Sequence, residues 1–425
     1  MSHTAIVPDH STLRNYLLQH RLPLYYSKPV LGHIQTYMAA ATAKGFRGKV
    51  VDLAEYSDCH RTTLGHFLAE GKWDESVLQS KVKTESLRQV MHASERTAEP
   101  LFVIHDDTIA QKTKPSSQAR APMELTGFHH SHLLGKVVWG HQVHAAVVTC
   151  ADLSLLHSLN LYDKTKTHPD GTVYTKIDRV CDMAATLPLP PHGGYVLVDS
   201  WFTCTRVMDS YAAAGYHLIG ALKTNRIIYP QGIRISVQDF ATHIRKEDVR
   251  LVTVNGSSYW TYRYEGALNE IDHAVVLLCW PEQAFGEPKA LRAFLCTDVS
   301  LETETILAHY AKRWPIEIFF RQSKNNLGLD TYQVRSATAF IRLWALLPFT
   351  HLYCTTGLGQ PHSFGDGLRL VRKQVQQDPF RAVYEAGQSG VPFHVVCEQF
   401  KLACVIPVIF CIRFCSFIVI YFALH

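Results

Sequence analysis

The stretch HYAKRWPIEIFFRQSK, residues 309 to 324, sets charged side chains at helical intervals around a single proline. Pro315 suits the first position of a helix, where a missing N–H costs no intrahelical bond. Glu317 then falls in the first turn, where the positive end of the helix dipole favours an ionised carboxylate. Arg321 lies one turn beyond Glu317, and Lys324 lies two turns beyond it on the same face. A plain amphipathic helix with a solvated charged face carries the same pattern, so the surroundings decide what the helix means.

Two further acids stand upstream in a different texture. Asp106 and Asp107 follow the apolar run Leu101 to His105, and Asp199 follows the apolar run Gly194 to Val198. Both runs read as strands, so Asp106 and Asp199 are expected where a strand stops and its side chains meet a ligand. An aspartate capping a turn would explain either one alone. Val137 to Thr149 is a long β-rich stretch, Val207 to Ala214 looks helical, and His217 to Leu222 returns as a strand leading into Lys223. Strands first, then alternating helix and strand, predict an α/β fold: a mixed sheet flanked by helices.

Residues 227–298 break that rhythm with Leu251 to Val254, Trp260 to Tyr264, His273 to Leu278 and Leu291 to Cys296 as further strands. Asn255-Gly256 is a hairpin signal between the first two. The block reads as a β-rich insertion, after which helices resume from about Glu302 to Tyr353 and, more weakly, to about Ala403. The first hundred residues are mainly helical. Val50 to Glu55, a turn at Ser57, Asp58 and Cys59, and Arg61 to Leu68 outline a helix-turn-helix whose second helix opens with His60, Arg61, Thr62 and Thr63. Any two-helix corner packed on a core has the same outline.

The 425 residues, 47% of them hydrophobic, suffice for two or three compact units. A formal charge of +5 is compatible with a phosphate-bearing partner without naming one. The eleven cysteines are scattered and form neither a zinc ribbon nor a disulfide framework, and no secretory pattern opens the chain, so reduced thiols and a cytoplasmic location are expected. Residues 404–425, CVIPVIFCIRFCSFIVIYFALH, are almost wholly apolar. Arg413 and Pro407 weaken a membrane-spanning reading, a buried terminal helix is an alternative, and the preferred reading is a disrupted end not selected as the protein's tail.

Three carboxylates without histidine or cysteine are hard oxygen donors that suit magnesium or manganese rather than zinc. Two such ions held roughly 4 Å apart would activate an attacking oxygen and stabilise the leaving oxygen of a phosphodiester.

Tyr310, Arg313, Glu317 and Lys324 match the spacing Y-x2-R-x3-E-x6-K, and on these residues the chain resembles the DDE transposases of bacterial insertion sequences. IHDDT around Asp106, VDSWFT around Asp199, GALKTNR after residue 219 and LGLDTYQVRS after residue 326 are similar to that family's conserved blocks. The resemblance covers roughly residues 40 to 400. It implies a ribonuclease H-like catalytic domain in residues 96–226 and 299–355, interrupted by the insertion at 227–298. A helical DNA-binding region (1–95), a C-terminal helical region (356–403) and the atypical tail (404–425) complete the expected division. Asp106, Asp199 and Glu317 would be the catalytic and metal-binding acids, with two magnesium ions that manganese can replace, and Asp107 is the alternative to Asp106. Tyr310, Arg313 and Lys324 would contact DNA. Arg321, Lys223 and Arg61 are further DNA-binding candidates, as are Lys112 and Lys114. The expected partners are the element's terminal inverted repeats, target DNA and a second protomer, with association with the nucleoid when bound and no membrane. A catalytically silent DNA-binding descendant of a transposase is the alternative.

Overall fold

The computed structural model describes residues 11–399 except 58, 119–121 and 132–133, so the tail at 404–425 and Asp58 lie outside the described residues. Five helices come first: α1 (Ser11–Gln19), α2 (Lys28–Thr42), α3 (Val50–Ala54), α4 (Arg61–Ala69) and α5 (Ser76–Thr97). Next come β1 (Leu101–Gln111), β2 (Gly127–Ser131), β3 (Lys136–Cys150), β4 (Leu153–Tyr162), α6 (Lys176–Ala184), β5 (Gly194–Val198), α7 (Thr205–Ala213) and β6 (His217–Leu222). The block that breaks the rhythm contains β7 (Ile227–Ile228), β8 (Ile235–Ser236), α8 (Val237–Ala241), β9 (Arg250–Val254), β10 (Ser257–Leu268) and β11 (Ile271–Pro281), followed by β12 (Arg292–Cys296). Helices α9 (Thr303–Ala311), α10 (Trp314–Asn326), α11 (Ala337–Thr356), α12 (Phe364–Gln388) and α13 (Phe393–Gln399) close the described chain.

All the strands join one mixed sheet. β5 is short, apolar and buried along its whole length, as a strand covered on both faces must be. It runs parallel to β1 on one side and to β6 on the other, while β3 is antiparallel to β1 and β4 antiparallel to β3. The order β4, β3, β1, β5, β6 with helices on both faces is the expected ribonuclease H-like α/β arrangement. The additional strands extend this sheet: β12 pairs antiparallel with β6, and β11, β10 and β9 follow outward. Asn255 and Gly256, both at positive φ, make the tight turn between β9 and β10.

Strand β1 is longer than its apolar run implies. It continues to Gln111 because β3 offers a partner for every residue from Phe102 onward, whereas its pairing with β5 ends at Ile104 opposite Leu197. Asp106 and Asp107 therefore lie inside a strand rather than at its end, but beyond the last paired residue of β5. Alternation sends Phe102 toward His309 of α9, and His105 toward His144 and Tyr211 of α7. The two faces of β1 thus meet different helices.

The N-terminal helices are fastened to this body. Arg342 of α11 is buried and donates to the backbone oxygens of Leu68 and Trp73 at 3.0 and 2.8 Å, capping the last turn of α4, and its Nε meets Glu75 at 3.2 Å. Arg61, Thr62 and Thr63 at the other end of α4 are exposed, whereas Leu64, Phe67 and Leu68 face inward. A second fastening joins the segment after α2 to the loop after α10. Gly48 and Gly328 both have positive φ and cross so closely that a Cβ on Gly328 would stand 2.3 Å from the Gly48 Cα. Gly328→Ala should therefore lower stability by about 2 kcal/mol or more, combining left-handed strain with a backbone clash. Urea unfolding checks it; an unchanged midpoint would mean that the two loops part freely.

Candidate active site

Continuing the β1–β5 register by two residues from the Ile104–Leu197 pair sets Asp106 level with Asp199 on adjacent parallel strands. Strand neighbours stand roughly 5 Å apart, so the two carboxylates come near one another in the middle of the sheet, where β5 ends. Asp199 closes the turn after β5 by accepting from the backbone N–H groups of Trp201 at 2.9 Å and Phe202 at 3.2 Å. Helix α10 crosses the same face of β1 and supplies the third acid. It begins at Trp314, with Pro315 one position further in than expected and Glu317 still in the first turn.

Arg313 ties these elements together. Its Nη2 donates to Asp106 Oδ2 at 3.0 Å and its Nη1 to Glu317 Oε1 at 3.0 Å, while its Nε is buried without a partner. Burial opposes the charge on Arg313, but Asp106, Tyr310, Glu317 and Asp199 outweigh it and hold the guanidinium more firmly protonated than usual. Asp106 is pushed the other way, to about 7, by burial first; Arg313 opposes the shift, and the Asp199 and Glu317 carboxylates add to it. Tyr310 reaches the same cluster from α9, and burial raises its phenol above the ordinary range. Lys324 donates to Thr108 Oγ1 at 2.8 Å, two residues along β1 from Asp106, and burial lowers its pKa.

Asp107 points to the other face. It is ion-paired with Lys176 of α6 and accepts from Gln142 Nε2 at 2.9 Å, and Gln142 in turn bonds His129 at 3.0 Å. The structure thus brings Asp106, Asp199, Glu317, Tyr310, Arg313 and Lys324 to one face and leaves Asp107 on the opposite one. Arg321 is exposed on α10, Lys223 lies 5.4 Å from the Trp201 ring centroid, and Arg61 sits far along the chain on α4. Lys112 is a structural residue: its ammonium donates to the backbone oxygens of Asp330 and Tyr332 at 2.7 and 2.9 Å, and burial lowers its pKa to about 8. Lys114 lies 5.3 Å from the Phe128 ring centroid. Sequence reasoning missed Lys176 as the partner of Asp107 and the bond from Lys324 to Thr108, which only strand register and alternation reveal.

The family model for the transposase DDE domain matches residues 97–353, more than half of the chain. The chain belongs to the DDE transposase family. The match runs from the end of α5 into α11, so it takes in every strand. No curated protein matches. Members of the family are DNA-cleaving and strand-transferring enzymes that generally use divalent metals. Among the described residues no group of three or more histidine, cysteine, aspartate or glutamate side chains stands close enough to hold a metal ion. The Arg313 guanidinium already sits between two of the three acids. The donor set itself fits a hard cation: it is all carboxylate, and it attracts positive charge strongly enough to draw a buried arginine. Among the described residues no helix is long and apolar enough to cross a membrane.

The raised pKa of Asp106 is expected to make its contribution to stability fall as pH rises. Between its ordinary value of 3.8 and about 7 the folded state holds a proton that the unfolded state has lost, so stability falls across that window. Asp106→Asn, which mimics the protonated form, should melt above the wild-type protein at pH 8, with the advantage shrinking through that window and gone near pH 4. Thermal melts across this range check it, and a constant difference would show that Asp106 does not titrate there.

Proposed function

We propose that the chain is a transposase of the YREK group of bacterial insertion sequences, which binds the ends of its element, cuts them and joins them to target DNA. The convergence of Asp106, Asp199 and Glu317 around one arginine, on elements far apart in sequence, is the observation that carries this reading. Asp106, Asp199 and Glu317 are the residues that would hold magnesium, two ions in all, with manganese able to substitute. Such ions, when bound, supply activation of the attacking oxygen and charge for the leaving one. Asp106 takes this role in preference to Asp107, supported by its place beside Glu317 and by the commitment of Asp107 to Lys176.

The protein's own task is to position DNA and balance its charge. Arg313 offers a planar fork suited to a phosphate once it leaves a carboxylate. Lys324 sits beside Asp106 along β1, and Tyr310 borders the same face; both would contact the backbone near the cut. Exposed Arg321 and Lys223 extend the basic surface. Residues 1–95 are proposed as the DNA-reading region, with the exposed Arg61, Thr62 and Thr63 of α4 entering the groove. Residues 96–226 and 299–355 would form the catalytic core, 227–298 an insertion, and 356–403 a helical appendage. Cut-and-paste movement by a homodimer on paired ends, in the cytoplasm at the nucleoid, completes the proposal.

Glu317→Ala and Asp199→Ala should each reduce magnesium-dependent nicking of element ends to background while leaving melting and end-binding close to wild type. Asp106→Asn should likewise reduce nicking to background while still binding element ends, and Asp107→Asn should retain cleavage. Strand cleavage at wild-type rate by Glu317→Ala would rule out the assignment, and cleavage-dead but fully binding wild-type protein would favour a silent DNA-binding descendant. Arg61→Ala should weaken binding to element ends more than to random duplex, in keeping with roughly 1–3 kcal/mol for a groove contact. Competition binding measures the ratio, and an equal loss on both DNAs would reduce Arg61 to a phosphate contact.

A further inference from the structure

The hairpin of β2 and β3 carries bare apolar side chains where the sheet ends. Phe128 is 50% exposed, Val137 59%, and Leu134, between the strands, 49%. β2 closes the sheet on this side, paired with β3 from Gly127 opposite Gly140 to Ser131 opposite Lys136. Phe128 stands opposite Trp139, the two rings edge to face at 4.8 Å, and Val137 follows two residues along on the same face. That face also carries Asp106, because its partner Ala145 lies an even number of residues from Trp139 and Val137 along β3. At ~3.3 Å per residue, Val137 is roughly 26 Å along the strand from Ala145, well away from the carboxylates. Cations frame the apolar patch. The Lys114 ammonium stands 5.3 Å from the Phe128 ring centroid, and Lys164, from the loop after β4, donates to the Phe128 carbonyl; both residues are exposed. The acids close by in sequence are engaged, Glu124 with the Ala337 N–H at 2.7 Å and Asp163 with the Thr165 N–H at 2.8 Å.

We propose that this hairpin is an arm that grips duplex DNA away from the carboxylate cluster, with Lys114 and Lys164 on phosphates and Phe128 and Val137 packed against the sugar edges of one groove. The inference rests on the reading of the chain as a DNA-binding protein, and it adds a contact surface to that reading. Lysines on an edge strand ordinarily keep other chains away. That role does not account for Phe128, Leu134 and Val137 standing bare on the same hairpin. A second copy of the chain would set the same cations against each other, whereas a nucleic-acid backbone neutralises them. Phosphate contacts supply grip and position on a duplex, and apolar side chains pack into its minor groove. With Asp106 and the arm on one face, a duplex lying along β3 meets the arm about eight base pairs from the carboxylates, at ~3.4 Å per pair.

The test uses the full chain in chelator and a fluorescent blunt duplex of mixed sequence, titrated across a range of salt. Lys114→Gln with Lys164→Gln should lower affinity about tenfold or more at roughly 0.1 M salt, and should flatten the slope of log affinity against log salt by about 1.8, as two lost phosphate contacts require. Phe128→Ser with Val137→Ser should lower affinity about fivefold or more and leave that slope unchanged, because apolar contact releases no counterions. Both double variants should melt close to the wild type, since the four side chains are exposed. Should the apolar pair fail to fold, Val137→Ser alone takes its place. Either variant matching the wild type in duplex affinity overturns the arm while leaving DNA binding by the rest of the chain in place. A wild-type chain that binds no duplex overturns both the arm and the DNA-binding reading beneath it. An apolar variant that loses self-association in sedimentation yet binds duplex as the wild type does assigns the hairpin to a second copy and overturns the proposal as well.

Discussion

Carboxylates brought together on the covered face of a sheet repel one another, and the chain answers that repulsion with a single guanidinium. Arg313 bridges Asp106 and Glu317 at 3.0 Å on each side, with Asp199 near enough to add to the field. The bridge joins the central strand to the start of α10, so this cluster of acids is also a structural joint. Its two halves differ in kind. The Asp106 side chain is 15% exposed and the Glu317 side chain 43% exposed, so the first contact is poorly screened by water and the second is a surface pair of small worth.

The register of the sheet sets two of these acids side by side. Parallel pairing of β1 with β5 levels Asp106 with Asp199, and antiparallel pairing with β3 carries β1 far enough to hold Asp106 and Thr108 in place. Strand alternation turns Asp106 and Thr108 toward α10, and His105 and Asp107 toward α7 and α6. On the odd face His105, packed between His144 and Tyr211, is kept neutral by burial, its pKa lowered to about 3. The last turn of α4 is tied to α11, because Arg342 caps it.

Much of this was legible in the sequence, and the failures have physical reasons. β5 and β6 were read to the residue, since a buried parallel strand is a continuous apolar run bounded by Gly194 on one side and by the glycine-ended helix before His217 on the other. The strands after residue 250 were also visible, from their aromatic and β-branched runs and the Asn255-Gly256 turn. β1 was cut short because its second half carries Asp106, Asp107 and Gln111, polar residues that strand patterning discounts, and the β3 partner that sustains them lies distant in sequence. Lys112 stands as a DNA-binding candidate in the sequence because nothing local shows that the backbone oxygens of Asp330 and Tyr332 wait for it. The spacing of Arg313 and Glu317 by four residues was legible; that the arginine spans to Asp106 was not, because it depends on how α10 lies across the sheet.

The two adjacent aspartates stand in different electrostatic settings on one strand. Each receives a cation from the helix on its own face, Lys176 for Asp107 and Arg313 for Asp106. On the Asp107 side the account closes: one carboxylate, one ammonium, and hydrogen bonds from Gln142 and onward to His129. On the Asp106 side three carboxylates face Arg313, with Lys324 bonded alongside to Thr108, and negative charge remains in excess. Burial does not remove that excess; it forces Asp106 toward its protonated form instead. A face that must take up a proton to stay neutral is one where an added cation gains the most, whereas its neighbour one residue along gains nothing. Charge balance as well as direction supports the proposed preference for Asp106 over Asp107 as a metal-holding residue, and strand alternation is the cause of both.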